Sequence, residues 1–249
     1  MKKRLINDYL VQYTFGNEND SLNRNIFILF ANKECIIFDT GYQEDMSELL
    51  LELNGISIKS VVLTHYHPDH CYGMLSLVKP YSIGSTFYLE TLKPFNERHN
   101  PNLVPNIKVS STYSFNFYNH IIYTEKFIGH SKSGLLVIID DKYVLVGDEL
   151  MYSDEFESSI PYIGYTINDH ESSLKRLLDF DDHIFLPSHG NSDKVNIIDD
   201  INNRLKYLDF LKCTNNKNIE DFYKINNIRF INDKWHSNNI SNSRKIKSE

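Results

Sequence analysis

The sequence predicts a layered α/β domain in which helices pack beside sheets, and three observations carry that reading. Strand-type runs and helical-period stripes recur in two similar halves of the 249-residue chain, and no Pro/Gly-rich linker or internal repeat separates them. Neither GxGxxG nor GxxxxGK[ST] occurs, which removes the doubly wound nucleotide folds. One domain over residues 1–231 is expected, with a polar, Asn- and Ser-rich tail at 232–249 expected to fray.

The elements follow in order. Apolar β-type runs span Asp8 to Phe15, Asn25 to Phe30 and Cys35 to Phe38, the last two joined as a hairpin by Ala31–Glu34. Met46, Leu49, Leu50 and Leu53 fall at i, i+3, i+4 and i+7, the stripe of a helix that Gly55 is expected to stop. Ser60 to Thr64 reads as a short buried strand delivering His65. A β-rich stretch then runs through Ile107–Val109, Tyr113–Phe117, Ile121–Phe127, Gly134–Ile139 and Tyr143–Val146, with a tight hairpin at Asp140–Lys142. Glu171 to Phe180 returns to helical spacing through Leu174, Leu177 and Leu178. Ile184 to Leu186 is a last short strand. Ile198, Ile201, Leu205, Leu208 and Leu211 then share one face of a long amphipathic helix.

Composition narrows the function classes. A hydrophobic content of 41% supports a real core, and a formal charge of −7 with pI near 5.8 offers no basic footprint for nucleic acid. The Met1–Arg4 start resembles a leader peptide, but Asn7, Asp8 and Gln12 interrupt any apolar region, and no run is long enough to span a membrane. Cys35, Cys71 and Cys213 are odd in number and far apart, which predicts reduced thiols and a cytoplasmic protein. The expected partner is a small-molecule substrate.

The chemistry concentrates in Thr64-His65-Tyr66-His67-Pro68-Asp69-His70. Three imidazoles and a carboxylate within six positions, directly after a buried strand, make a metal nest. Alternate residues of an extended turn can face one ion, and the turn that follows can direct Asp69 and His70 to another.

This HxHxDH segment resembles the signature of the metallo-β-lactamase superfamily, and further landmarks occur in the family's order. Phe38-Asp39-Thr40-Gly41 is similar to its Asp-Thr-Gly turn, and Gly129-His130-Ser131-Lys132-Ser133-Gly134 to its Gly-His-Thr-Pro-Gly stretch. Val146-Gly147-Asp148 matches its strand-end Gly-Asp, and Leu186-Pro187-Ser188-His189-Gly190 its Pro-Gly-His-Gly segment. Lys132 and Ser188 depart from the pattern without removing a ligand.

The resemblance, over about residues 25 to 190, implies a four-layer αββα sandwich and two divalent metal ions, zinc first and iron or manganese also accommodated. It implies that His65, His67 and His130 hold one ion, that Asp69, His70 and His189 hold the other, and that Asp148 bridges them, with Asp39 supporting a ligand histidine. The activity implied is hydrolysis of a small carbonyl substrate (ester, lactone or thioester) by a metal-bridging hydroxide, steered by Asp69. The alternatives are a phosphodiesterase on the same site, or a non-hydrolytic diiron or metal-binding protein.

Tyr152 is a candidate oxyanion donor by position, with Tyr162 and Tyr165 as further candidates. Lys93 and Arg98 could line the mouth, and a catalytic role for Cys71 is a minor possibility beside a buried-thiol role. His99, His120, His183 and His236 read as non-ligands, and His170 as a helix cap or surface residue.

Overall fold

The computed structural model describes residues 1–16, 22–97, 99–213 and 218–245, with side chains to 242. Seven strands form the first sheet in chain order: β1 (Lys2–Leu5), β2 (Leu10–Phe15), β3 (Arg24–Ala31), β4 (Glu34–Phe38), β5 (Ser57–Val62), β6 (Ser82–Ser85) and β7 (Ile107–Val109). The sheet is antiparallel through β4 and parallel from β4 to β7. The second sheet has the order β12-β11-β10-β9-β8, from β8 (Thr112–Phe117), β9 (His120–Lys126), β10 (Leu135–Ile139), β11 (Tyr143–Gly147) and β12 (Ile184–Pro187), with only the β11–β12 pair parallel.

Side chains on a strand alternate between faces, so a strand buried on both faces must be apolar throughout. In β3, Phe27 and Leu29 enter the core between the sheets while Ile26 and Ile28 enter the core under the helices. β10 does the same, with Leu135, Val137 and Ile139 facing the first sheet and Leu136 and Ile138 facing outward. Outside the first sheet lies α1 (Gln43–Glu52), burying Met46 and Leu49, then the short α2 (Pro68–Cys71) and α3 (Tyr88–Leu92). Outside the second sheet lie α4 (Ile167–Leu177), α5 (Ile197–Cys213), α6 (Ile219–Asn226) and α7 (Trp235–Lys245). Their outer core is built from Leu174, Leu177, Ile201, Leu208, Leu211 and Phe222, with Trp235 and Ile240 against it. The stack is helix, sheet, sheet, helix: the four-layer αββα sandwich.

Two expectations need correction. The segment from Asn232 carries α7, whose Asn239 is fully buried and whose Trp235 and Ile240 pack on the outer core. Its polar composition conceals this because much of the docking is done by hydrogen bonds. His170 is neither cap nor surface; it lies inside α4, fully buried, and Thr166 is the cap, accepting from the Asp169 N–H. Lys2–Leu5, read from the sequence as no element, forms β1, an edge strand paired in register with β2. Among the described residues no helix is long and apolar enough to cross a membrane.

Candidate metal centre

Strand ends carry the donors. β5 runs into His65, His67 and α2, where Pro68 at the first helical turn needs no N–H partner and so lets the chain turn immediately after His67. β9 leads to His130, β11 ends in Gly147 (φ +56) before Asp148, and β12 delivers His189. Main-chain bonds tie these ends together: Leu135 N–H donates to Thr64 O (2.7 Å), Thr40 N–H to His70 O (2.7 Å) and Ser188 N–H to Gly147 O (3.1 Å). Gly73 permits one close approach, since a Cβ there would lie 2.1 Å from Thr40 O.

All seven residues expected as ligands converge. They form two groups of four sharing Asp148: His65, His67, His130 and Asp148, and Asp69, His70, His189 and Asp148, with donor atoms within 4.8 Å of one another in each. Asp148 divides its carboxylate between them. Oδ2 lies 3.3 Å from His130 Nε2 and 3.7 Å from His65 Nε2, while Oδ1 lies 3.2 Å from His189 Nε2 and 3.3 Å from His70 Nε2. His67 Nδ1 stands 3.0 Å from His65 Nε2 and 3.1 Å from His130 Nε2, and Asp69 Oδ2 stands 3.4 Å from His189 Nε2.

These donors fit a metal. Four ligands at about 2.0–2.1 Å from a zinc-sized cation are spaced about 3.3 Å from each other, matching the separations above. The His67 Nδ1 position carries a single lone pair or proton, yet it faces two imidazole nitrogens. His70 Nε2 and Asp148 Oδ1 are buried and without hydrogen-bond partners, which is costly unless a cation satisfies them.

The electrostatics separate the two groups. Burial pushes His65 well below the usual imidazole range and His130 down to about 3, so these rings are neutral and ready to ligate. Burial acts on His70 too, but the carboxylates of Asp148, Asp69 and Asp39 overcome it and hold His70 well above the range. His189, facing Asp148 and Asp69, is raised against its burial to about 10. Those positive rings occupy the electrostatic place of a cation.

Asp39 stands behind His70, accepting from its Nδ1 at 2.9 Å. Sequence reasoning missed its other donors: Thr64 through N–H (2.7 Å) and Oγ1 (2.8 Å), and Ser188 through Oγ (3.0 Å). The Ser188 departure thus adds a hydroxyl to this junction.

Tyr152 is not at the site. It is fully buried in the outer core and its hydroxyl donates to Asp200 at 2.9 Å, beside Arg204. The irregular backbone after Asp148 turns that side chain inward, which a count of residues could not show. Tyr162 is beside the site, its ring 5.5 Å from that of His130, and half-exposed Phe95 lies 6.3 Å from His67. Tyr165 stands further along, 5.3 Å from Lys132 Nζ. Lys93 is exposed on the α3 side of a surface cavity with Tyr88, Glu90 and His99, while Arg98 falls outside the described residues. Cys71 is fully buried, and its thiol is pushed well above the ordinary range by burial and then by Asp69 and Asp39, so it stays protonated and packs as a small apolar group.

Known proteins resemble this chain. A family model described as the metallo-beta-lactamase superfamily matches residues 20–109, which include the His65–His70 segment. The hydroxyacylglutathione hydrolase 1 of Vibrio vulnificus (strain YJ016) is 31% identical over 71 residues, 28% of this chain and 28% of that protein. An atrochrysone carboxyl ACP thioesterase of Pseudocercospora fijiensis (strain CIRAD86) is 41% identical over 61 residues, 23% of this chain and 18% of that protein. The matched stretches thus span less than a third of either curated relative. Among solved structures, the DIM-1 metallo-beta-lactamase superposes with a TM-score of 0.62 at 18% identity, covering 81% of this chain and 95% of that one. The metallo-beta-lactamase from Pontibacter korlensis gives 0.63 at 15% identity, covering 84% and 98%. The chain is thus similar to the metallo-beta-lactamase superfamily over residues 20–109 and shares the four-layer fold of solved metallo-beta-lactamases.

Proposed function

We propose that the protein is a dinuclear metal-dependent hydrolase acting on a small carbonyl substrate, an ester, lactone or thioester. The observation that carries this reading is the divided carboxylate of Asp148, one oxygen toward each donor group. His65, His67 and His130 would hold one cation and Asp69, His70 and His189 the other. Nitrogen and carboxylate donors without thiolate suit zinc first, then iron or manganese. Such a pair, when bound, supplies Lewis acidity toward a carbonyl and lowers the pKa of water toward neutrality.

The chain's own groups divide the remaining work. Asp69 is the more exposed of the two carboxylates in the donor groups, and the oxygen it does not turn toward His70 and His189 can take the proton removed from water. The Tyr162 and Phe95 rings flank His130 and His67 and give an acyl chain an apolar wall. The two curated relatives are named as a hydroxyacylglutathione hydrolase and an acyl carrier thioesterase, which directs the choice within the class toward thioesters.

Zinc-loaded protein should cleave a nitrophenyl ester and an acyl thioester in preference to bis-nitrophenyl phosphate. Asp148→Ala should lower turnover by about 10²-fold or more and release at least one equivalent of metal. Preference for the phosphodiester would overturn the carbonyl assignment, and full activity in Asp148→Ala would overturn the shared-carboxylate assignment.

A further inference from the structure

The residue after Asp148 points away from the donors. Glu149 is 2% exposed, and its side chain runs beneath the turn that carries His130. Oε2 accepts the His130 backbone N–H at 2.9 Å. Oε1 occupies the space beside Gly129, where a Cβ would lie only 2.3 Å away. Behind it, His170 of α4 places Nε2 3.3 Å from Oε1, and Ser173, one turn further along α4, donates to the Ile128 carbonyl at 2.8 Å. Residues 128–130 are therefore gripped from below by one carboxylate and one helix. Core packing does not require a carboxyl group here, since burying a polar group is costly and an apolar side chain of similar volume would fill the place. Its geometry gives the reason for it. Consecutive residues of one segment meet the ring of His130 through Asp148 and the backbone of His130 through Glu149.

We propose that Glu149 is a positioning residue that sets His130 against Asp148 and so tunes one of the two metal sites, with the His170 ring packed against the Glu149 side chain. This rests on the metal-centre reading above. It predicts an asymmetric lesion, because the backbone N–H that Glu149 accepts belongs to His130, a member of only one donor group.

The test is zinc titration against a chelating dye, with thermal melting of each apo protein in parallel. The parent should bind two equivalents. Glu149→Leu should weaken one equivalent by about 10–100-fold and leave the other at parental affinity. Glu149→Gln, whose amide oxygen still accepts the His130 N–H, should stay within about threefold of the parent. Gly129→Ala displaces the carboxylate from the other side and should reproduce the Glu149→Leu isotherm. The double variant Glu149→Leu/His170→Leu replaces the polar pair with apolar side chains and should recover melting temperature without recovering the weakened equivalent. Equal weakening of both equivalents, or recovery of affinity together with melting temperature, would show that Glu149 matters only for folding. Parental binding of two equivalents by Glu149→Leu would overturn the proposal alone. A parent that binds fewer than two would overturn the metal-centre reading and the proposal with it.

Discussion

Asp39 sits in the left-handed region of backbone space at φ +58, a conformation that aspartate and asparagine adopt more readily than most residues. That backbone aims one carboxylate at four donors: Thr64 N–H, Thr64 Oγ1, His70 Nδ1 and Ser188 Oγ. With both oxygens accepting, His70 Nδ1 must carry a proton, which turns Nε2 toward the place a cation would take. Asp39→Asn keeps the backbone preference and removes only the charge. It also places an NH₂ group among donors, leaving a clash of donors in a buried place. The expected result is a loss of about 1–3 kcal/mol in urea unfolding, with the equivalent of zinc bound through His70 weakened by about 10–100-fold. This is the opposite equivalent to the one Glu149 governs. Weakening of the His130-side equivalent instead would show that Asp39 does not act through His70. Ser188→Gly should be milder, because it removes one donor and leaves no buried partner without a bond on the acceptor side.

At the scale of elements, legibility followed locality. Strands buried on both faces announce themselves as unbroken apolar runs, as Ile26–Phe30 and Tyr143–Val146 do, and candidate donors spaced within one turn need no tertiary information to be seen. β1 and β6 were not legible, since Lys2–Leu5 is charged and mostly exposed and Ser82–Ser85 is short and polar. Glu149, His170 and Arg204 were not legible either, because a lone charged residue acquires its meaning only from the elements that fold over it. α7 is the clearest case. Asn239 donates to Pro161 O (2.6 Å) and Tyr207 Oη (3.0 Å) and accepts from Ile163 N–H (2.9 Å), so a polar side chain does the work usually left to leucine. Trp235 of the same helix stands 5.6 Å from Tyr162, whose other neighbour is His130. Asn239→Leu leaves the Ile163 N–H and the Pro161 carbonyl buried without partners and should cost about 2–4 kcal/mol. Loosening of residues 161–163 should raise KM for an acyl substrate while zinc affinity stays parental. A drop in zinc affinity equal to the rise in KM would mean that α7 supports the ligands themselves rather than the substrate wall.

For the whole molecule, the donors bridge the seam between two half-structures. His65, His67, Asp69 and His70 follow a strand of the first sheet, and His130, Asp148 and His189 follow strands of the second. Hydrogen bonds already cross this seam, from Leu135 N–H to Thr64 O and from Asn25 N–H to Ser188 O (2.8 Å). Without a cation, the same seam confines three carboxylates and five imidazoles in little water, with His70 and His189 positively charged and His65 and His130 neutral. A metal bound only by the folded state adds stability in proportion to the logarithm of its concentration over Kd, about 2.7 kcal/mol at a hundredfold excess. For a chain of this size that is about 5–10 °C in Tm. Chelation should therefore lower Tm by about that amount in a single transition, because neither half holds a complete donor set. Restoring zinc should reverse the shift, with a slope in metal concentration. The Asp148→Ala protein should respond to chelator by less than half as much, since both donor groups lose a member at once. Two separate transitions on chelation would mean that the halves unfold independently and that the metals do not hold them together. An unchanged Tm in the parent would remove the metals from any account of stability, leaving the two sheets held by the main-chain bonds across the seam and by apolar contacts such as those of Phe27, Leu29, Val137 and Ile139.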